Sequence, residues 1–137
     1  MPKPDQSVLD RKAQIVEALC KVLPSDSVIF DEHETRAYEC DGLTAYRCPP
    51  LVAVLPRTSQ ECAAAMRVCH DLNVTVVPRG AGTSLAGGAL PTADCVILGT
   101  ARLKDVLEVD YDNRIIRVQT GVTNLSVTGL VEDDGFF

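Results

Sequence analysis

Apolar and polar positions alternate along the chain in a way that marks out a small set of elements. Leu9, Val16, Leu19, Cys20 and Leu23 recur at helical spacing between Val8 and Leu23, with Pro24 as a stop, so the first element is an amphipathic helix. Ser27 to Phe30 reads as a short strand, and Asp31-Glu32-His33-Glu34 as a solvated connection with little sign of acid–base work. Leu51 to Leu55 is a continuous apolar run closed by Pro56, the pattern of a buried strand. Thr58-x-x-Glu61 then has the spacing of a capping box, which starts a helix by satisfying its first backbone donors. Cys62, Ala65, Met66 and Cys69 lie at i, i+3, i+4 and i+7 of that helix and share one face. Asn73 is a helix stop before Val74 to Val77, a second strand run.

Strand, helix and strand make a βαβ unit, because parallel strands need a crossover between them. Cys95 to Leu98 is a third strand, and Val106 to Val109 with Ile115 to Val118 form a hairpin around Asp110 to Arg114. Thr123 opens a last helix over Asn124 to Val131, ahead of Phe136 and Phe137, two aromatics that need cover. The fold class is α+β with an α/β-like part: an N-terminal helix, a βαβ subdomain and the start of a second mixed sheet. Residues 1–48 read as a helical segment and linker, with Tyr38 to Gly42 and Tyr46 to Pro50 as a polar approach. Residues 49–137 read as part of a binding domain.

Composition narrows the function. With 137 residues, 46% of them hydrophobic, and a net charge of −6, the chain suits one compact unit. Thirteen basic residues against nineteen acidic ones, with no Lys/Arg cluster, argue against nucleic acid as a partner. No apolar run is long enough for a transmembrane segment, and Met1 to Asp5 lacks the apolar core of a signal peptide, which places the chain in the cytoplasm. The six cysteines form no Cys-x-x-Cys pair, so a metal site is disfavoured and reduced thiols are expected. His33 and His70 stand too far apart in sequence to suggest a cluster.

The chemistry concentrates in Pro78-Arg79-Gly80-Ala81-Gly82-Thr83-Ser84-Leu85-Ala86-Gly87-Gly88-Ala89, directly after the second strand. Glycines permit positive φ and close approach of a ligand to the backbone, and successive N–H groups in such a turn converge on a phosphate. Thr83 and Ser84 add hydroxyls, and no carboxylate is present to repel an anion. Leu85 stands where a dinucleotide fingerprint needs its third glycine; Gly88 and Ala89 stand where a Walker A loop needs its lysine and hydroxyl. Two readings remain at this point: a phosphate cradle of another kind, or a glycine-rich connection without a ligand.

Tyr-x-Cys-Asp-Gly-Leu at Tyr38 to Leu43, Pro-Leu-Val-Ala-Val-Leu-Pro at Pro50 to Pro56 and Arg-Gly-Ala-Gly-Thr-Ser-Leu-Ala-Gly-Gly-Ala at Arg79 to Ala89 together resemble the FAD-linked oxidase family related to vanillyl-alcohol oxidase, in its glycolate oxidase branch. The resemblance implies FAD as cofactor, its pyrophosphate held by backbone groups of Arg79, Gly80, Ala81, Gly82, Thr83, Ser84, Gly88 and Ala89. It implies oxidation of a small 2-hydroxy acid, glycolate or D-lactate, with electrons passing to partner subunits that would also hold the protein peripherally at the inner membrane. In this family the substrate groups lie in a later cap domain, so the chain reads as the amino-terminal part of a longer enzyme, with no catalytic residue assigned. A non-catalytic interaction module, homo-oligomeric through its exposed edges, is the alternative.

Overall fold

Four short strands carry the core in a computed structural model that describes all of residues 1–137. They are β1 (Val28–Ile29), β2 (Val52–Val54), β3 (Val76–Arg79) and β4 (Val96–Gly99), in the order β1-β2-β4-β3. β1 runs antiparallel to β2, pairing Val28 with Val54, whereas β4 is parallel to both neighbours and pairs Val96 with Val52 and with Val76. The two strands of the expected βαβ unit are therefore parallel but separated by β4. The two interior strands, β2 and β4, are apolar and buried, whereas Pro78 in β3 lacks an N–H for a ladder and suits an edge. The second strand also starts later than Val74, so that Pro78 and Arg79 belong to β3 and not to the loop.

Residue preferences explain the helix that joins β2 to β3. The Thr58 side chain accepts from Glu61 N–H at 3.1 Å and opens α4 (Ser59–Asp71), while the Glu61 carboxylate accepts from Arg57 N–H, one residue earlier than in a standard capping box. At the far end Asn73 takes φ 51°, with Asn73 N–H donating to His70 O and Val74 N–H to Cys69 O, a Schellman closure. Ala65 and Cys69 are buried, whereas Met66 is exposed, so the apolar face is narrower than the spacing predicts.

The single N-terminal helix expected from Val8 to Leu23 is broken into α1 (Gln6–Leu9) and α2 (Lys12–Val22). Arg11 sits at the joint, with its guanidinium donating to Ser7 O and to Leu72 O, which ties the joint to the end of α4. The buried stripe is Val8, Ile15, Leu19 and Leu23, and Cys20 is exposed. This stripe packs with Val28, Val52, Val54, Ala65, Cys69, Val74 and Val96 in one core cluster. Removing Ile15 or Leu19 from water stabilises the fold by about 1.5–3 kcal/mol each. Ala53, Cys95 and Ile97 face the other side of the sheet, against Tyr38 and Val77. Residues on both sides of position 48 thus share one sheet and one core.

Asp31 to Glu34 is not a plain connection: the Asp31 carboxylate accepts from His33 and Glu34 N–H and caps α3 (Glu32–Thr35). The expected hairpin is present as β5 (Val106–Asp110) and β6 (Ile115–Val118), a separate two-stranded antiparallel sheet. Thr123 caps α5 (Asn124–Val131) by accepting from Ser126 N–H. None of the residues in β5, β6 and α5 is buried. Phe136 packs against Tyr111 with ring centres 5.7 Å apart, and Phe137 is fully exposed.

Candidate functional site

The glycine-rich loop leaves the carboxyl end of β3, at the edge of a sheet whose other parallel strands end on the same side. Ligands of open α/β sheets bind in that region. Gly82 and Gly87 adopt φ of 73° and 76°, whereas Gly80 and Gly88 do not. The backbone N–H groups of Gly80, Ala81, Gly82, Thr83, Ser84 and Leu85 have no acceptor within the chain, nor do those of Gly87, Gly88 and Ala89. Only Ala86 and Leu90 are satisfied, by Ser84 Oγ and Gly87 O. Except for Ala89 these residues are exposed or half-buried, so the N–H groups left open within the chain are accessible to water or to the acceptor atoms of a ligand.

Apart from Arg79, the predicted site residues divide into three groups. Gly80 and Ala81 line a cleft of about 400 Å³ together with Thr100, Ala101, Lys104, Thr120, Gly121, Val122 and Thr123. That lining contains one cation, Lys104, and no carboxylate. Gly82, Thr83 and Ser84 turn instead along the Tyr38 to Leu43 segment, where Leu43 N–H donates to Ser84 O. Gly88 and the buried Ala89 lie on the return path.

Arg79 spends its side chain inward. Its Nη1 donates to Cys40 O at 2.7 Å and to Ala89 O at 3.4 Å, and the guanidinium carbon lies 5.9 Å from the centre of the Tyr38 ring. The residue therefore closes the loop mechanically. Sequence reasoning missed Thr100, Lys104 and Thr120 to Thr123, because they come from the segments before and after the β5–β6 hairpin and meet the loop only in three dimensions. The Thr120-Gly121 pair was the available signal, a hydroxyl beside a turn residue.

Other groups are less suited to a ligand's phosphates or to catalysis. A larger cavity, about 790 Å³, lies away from the loop and mixes Lys12, Arg36 and Arg47 with Glu32 and Glu39. Glu39 pairs there with both Arg36 and Arg47, so those two guanidinium groups are already engaged within the chain. Burial pushes the Cys69 and Cys95 thiols up to about 11, which keeps them protonated and unreactive in the core.

The glycine-rich loop thus stands at the carboxyl ends of the parallel strands of a mixed sheet, where ligands of open α/β sheets bind. The FAD binding domain family matches residues 50–137, and the chain belongs to that family. It is 43% identical to the glycolate oxidase subunit GlcD of Escherichia coli K12 over 120 residues, which is 88% of this chain and 24% of that protein. It is 35% identical to the mitochondrial D-2-hydroxyglutarate dehydrogenase of Bos taurus over 119 residues, 87% of this chain and 22% of the relative. The chain thus spans about a quarter of the length of these curated relatives. Among solved structures, p-cresol methylhydroxylase superposes with a TM-score of 0.80 at 17% identity, covering 96% of this chain and 26% of that one. The 4-ethylphenol oxidase of Gulosibacter chungangensis gives 0.81 at 20% identity, with 92% and 25% covered. The resemblance and the α+β fold class read from the sequence hold, and FAD is the cofactor of this family. No helix is long and apolar enough to cross a membrane.

Proposed function

We propose that this chain forms the pyrophosphate-binding part of an FAD-dependent oxidoreductase acting on small 2-hydroxy acids. The observation that carries the reading is the run of unpaired N–H groups from Gly80 to Leu85 on a carboxylate-free glycine loop. Those donors, with the N–H groups of Gly88 and Ala89, would take the non-bridging oxygens of the diphosphate. Thr83 and Ser84 would add hydroxyl donors, and Arg79 would act through its backbone while its side chain holds the loop closed. Lys104 would place a cation across the cleft from Gly80 and Ala81.

When bound, FAD supplies the acceptor for a hydride from the substrate carbon. The residues of this chain bind and orient the cofactor. Similarity to a glycolate oxidase subunit and to D-2-hydroxy-acid dehydrogenases supports glycolate or D-lactate as substrate, conversion to the 2-oxo acid, and electron transfer to partner subunits. Residues that hold the substrate carboxylate are assigned outside this chain, and the boundary between residues 1–48 and 49–137 is proposed as the start of the flavin-binding unit. Calorimetric titration of the chain with FAD, ADP and riboflavin tests the reading. FAD and ADP bind, and riboflavin, which lacks the diphosphate, binds at least about tenfold more weakly. Equal affinities for riboflavin and FAD would refute it.

A second reading, an interaction module, is favoured by one observation: Leu107, Ile115 and Leu125 are exposed on a hairpin and helix with no buried residue. Light scattering after size exclusion separates the two, because a monomer over a wide concentration range excludes self-association through that surface.

A further inference from the structure

In the sequence, the Tyr38 to Leu43 segment reads as a polar approach to the next strand. In the structure it is a strap along the back of the loop. Arg79 Nη1 joins the strap carbonyl of Cys40 to the loop carbonyl of Ala89. Leu43 N–H donates to Ser84 O at 3.2 Å. A Cβ on Gly42 would lie 2.7 Å from Thr83 O and 2.9 Å from Ser84 O, so only glycine lets the strap press this closely on the loop backbone.

This contact has a directional consequence. Thr83 C=O and Ser84 N–H share one peptide plane, as do Ser84 C=O and Leu85 N–H, and in a trans peptide the two groups point opposite ways. No peptide bond in the chain is cis. Holding both carbonyls against the strap therefore aims the N–H groups of Ser84 and Leu85 away from it, and neither has a partner within the chain. Asp41 sets the strap's own shape: it is only 4% exposed, and its Oδ1 accepts from Leu43 N–H at 2.9 Å. Its Oδ2 is buried with no hydrogen-bond partner within the chain.

We propose that Asp41 is a positioning residue for the anion-binding loop, acting through the Gly42–Leu43 turn to hold the Ser84 and Leu85 N–H groups outward toward a diphosphate. The proposal rests on the flavin-binding reading for the ligand, but not for the loop geometry. Its test uses the 137-residue chain with Asp41→Ala and Asp41→Asn, and reads two quantities: ¹⁵N relaxation of the 83–85 amides without ligand, and affinity for ADP. Asp41→Asn keeps the Oδ1 acceptor and retains ADP affinity within about twofold, whereas Asp41→Ala loosens the 83–85 amides and weakens ADP about tenfold. The β2 and β4 amides stay unchanged in both. If Asp41→Ala does not fold, Gly42→Ala reports the same coupling, because its methyl group displaces the Thr83 and Ser84 carbonyls. Unchanged relaxation in Asp41→Ala, or in Gly42→Ala where that variant is the one read, overturns the proposal, as does an Asn variant as weak as the Ala variant. A wild-type chain that binds neither ADP nor FAD, but whose 83–85 amides still loosen in Asp41→Ala, overturns the flavin-binding reading and leaves the positioning role standing.

Discussion

Arg79 and Cys40, 39 residues apart in sequence, are joined by a hydrogen bond of 2.7 Å from the guanidinium Nη1 to the Cys40 carbonyl oxygen. The same nitrogen reaches Ala89 O, so one side chain closes a loop that carries almost no hydrogen bonds of its own. Removing it should open the loop without removing any of the backbone donors.

Arg79→Met is expected to destabilise the chain by about 1–3 kcal/mol, the scale of a hydrogen bond to a charged group with one partner left unsatisfied. Urea unfolding measures this. ADP affinity falls with it, yet the salt dependence of binding persists, because the Arg79 guanidinium is spent on the Cys40 and Ala89 carbonyls. Abolished salt dependence would assign Arg79 an ionic role instead.

Gly82→Ala places a Cβ on a residue at φ 73°. The left-handed conformation costs an L-residue about 1–2 kcal/mol, and the added Cβ would also meet the Arg79 guanidinium and displace the side chain that closes the loop. The expected result is a loss of stability of that size by urea unfolding, together with weaker ADP binding by calorimetry. Wild-type values for both would show that the positive φ is not required.

Lys104→Gln removes the only cation lining the cleft opposite Gly80 and Ala81. Lys104 is exposed, so thermal stability is unchanged, and ADP affinity drops by a few-fold at low salt and by less at high salt. Titrations at two ionic strengths check both parts.

The buried thiols set an alkaline limit on stability. Cys69 and Cys95 ionise near 11 in the folded chain against an ordinary value of 9.0, because burial disfavours the thiolate. Above pH 9 the unfolded chain loses these protons while the folded chain keeps them, so stability falls as pH rises from 9 to 11. Below pH 9 both states hold the protons, and these groups contribute no slope. Urea midpoints across pH 7 to 11 measure the effect, and replacing Cys69 by Ala halves the slope that the pair contributes.

Local chemistry made much of the fold legible. The apolar run at Leu51 to Leu55, the Thr58 cap, the Asn73 stop and the Asp110 turn each act over a few residues, and each forms where the sequence places it. What failed needed distant partners. The position of β4 between β2 and β3 rests on pairings with strands well before it in the chain, Val96 with Val52 and with Val76, and Arg11 at the break between α1 and α2 bonds Leu72 O, 61 residues away. The glycine loop was legible as a candidate anion site because donors, hydroxyls and lack of carboxylate are properties of one stretch. The strap at Tyr38 to Leu43 was not, since its polar residues look like a linker until Gly42 meets the Thr83 and Ser84 carbonyls.

The central claim is that the N–H groups of Gly80 to Leu85 receive the diphosphate of FAD. Titrating FAD into ¹⁵N-labelled chain while following each backbone amide tests it most directly. The account predicts saturable shifts concentrated at Gly80 to Leu85, Gly88 and Ala89, reproduced by ADP and absent with riboflavin. Saturable binding whose shifts fall instead at Arg36, Glu39 and Arg47, with the 80–85 amides unmoved, would contradict it.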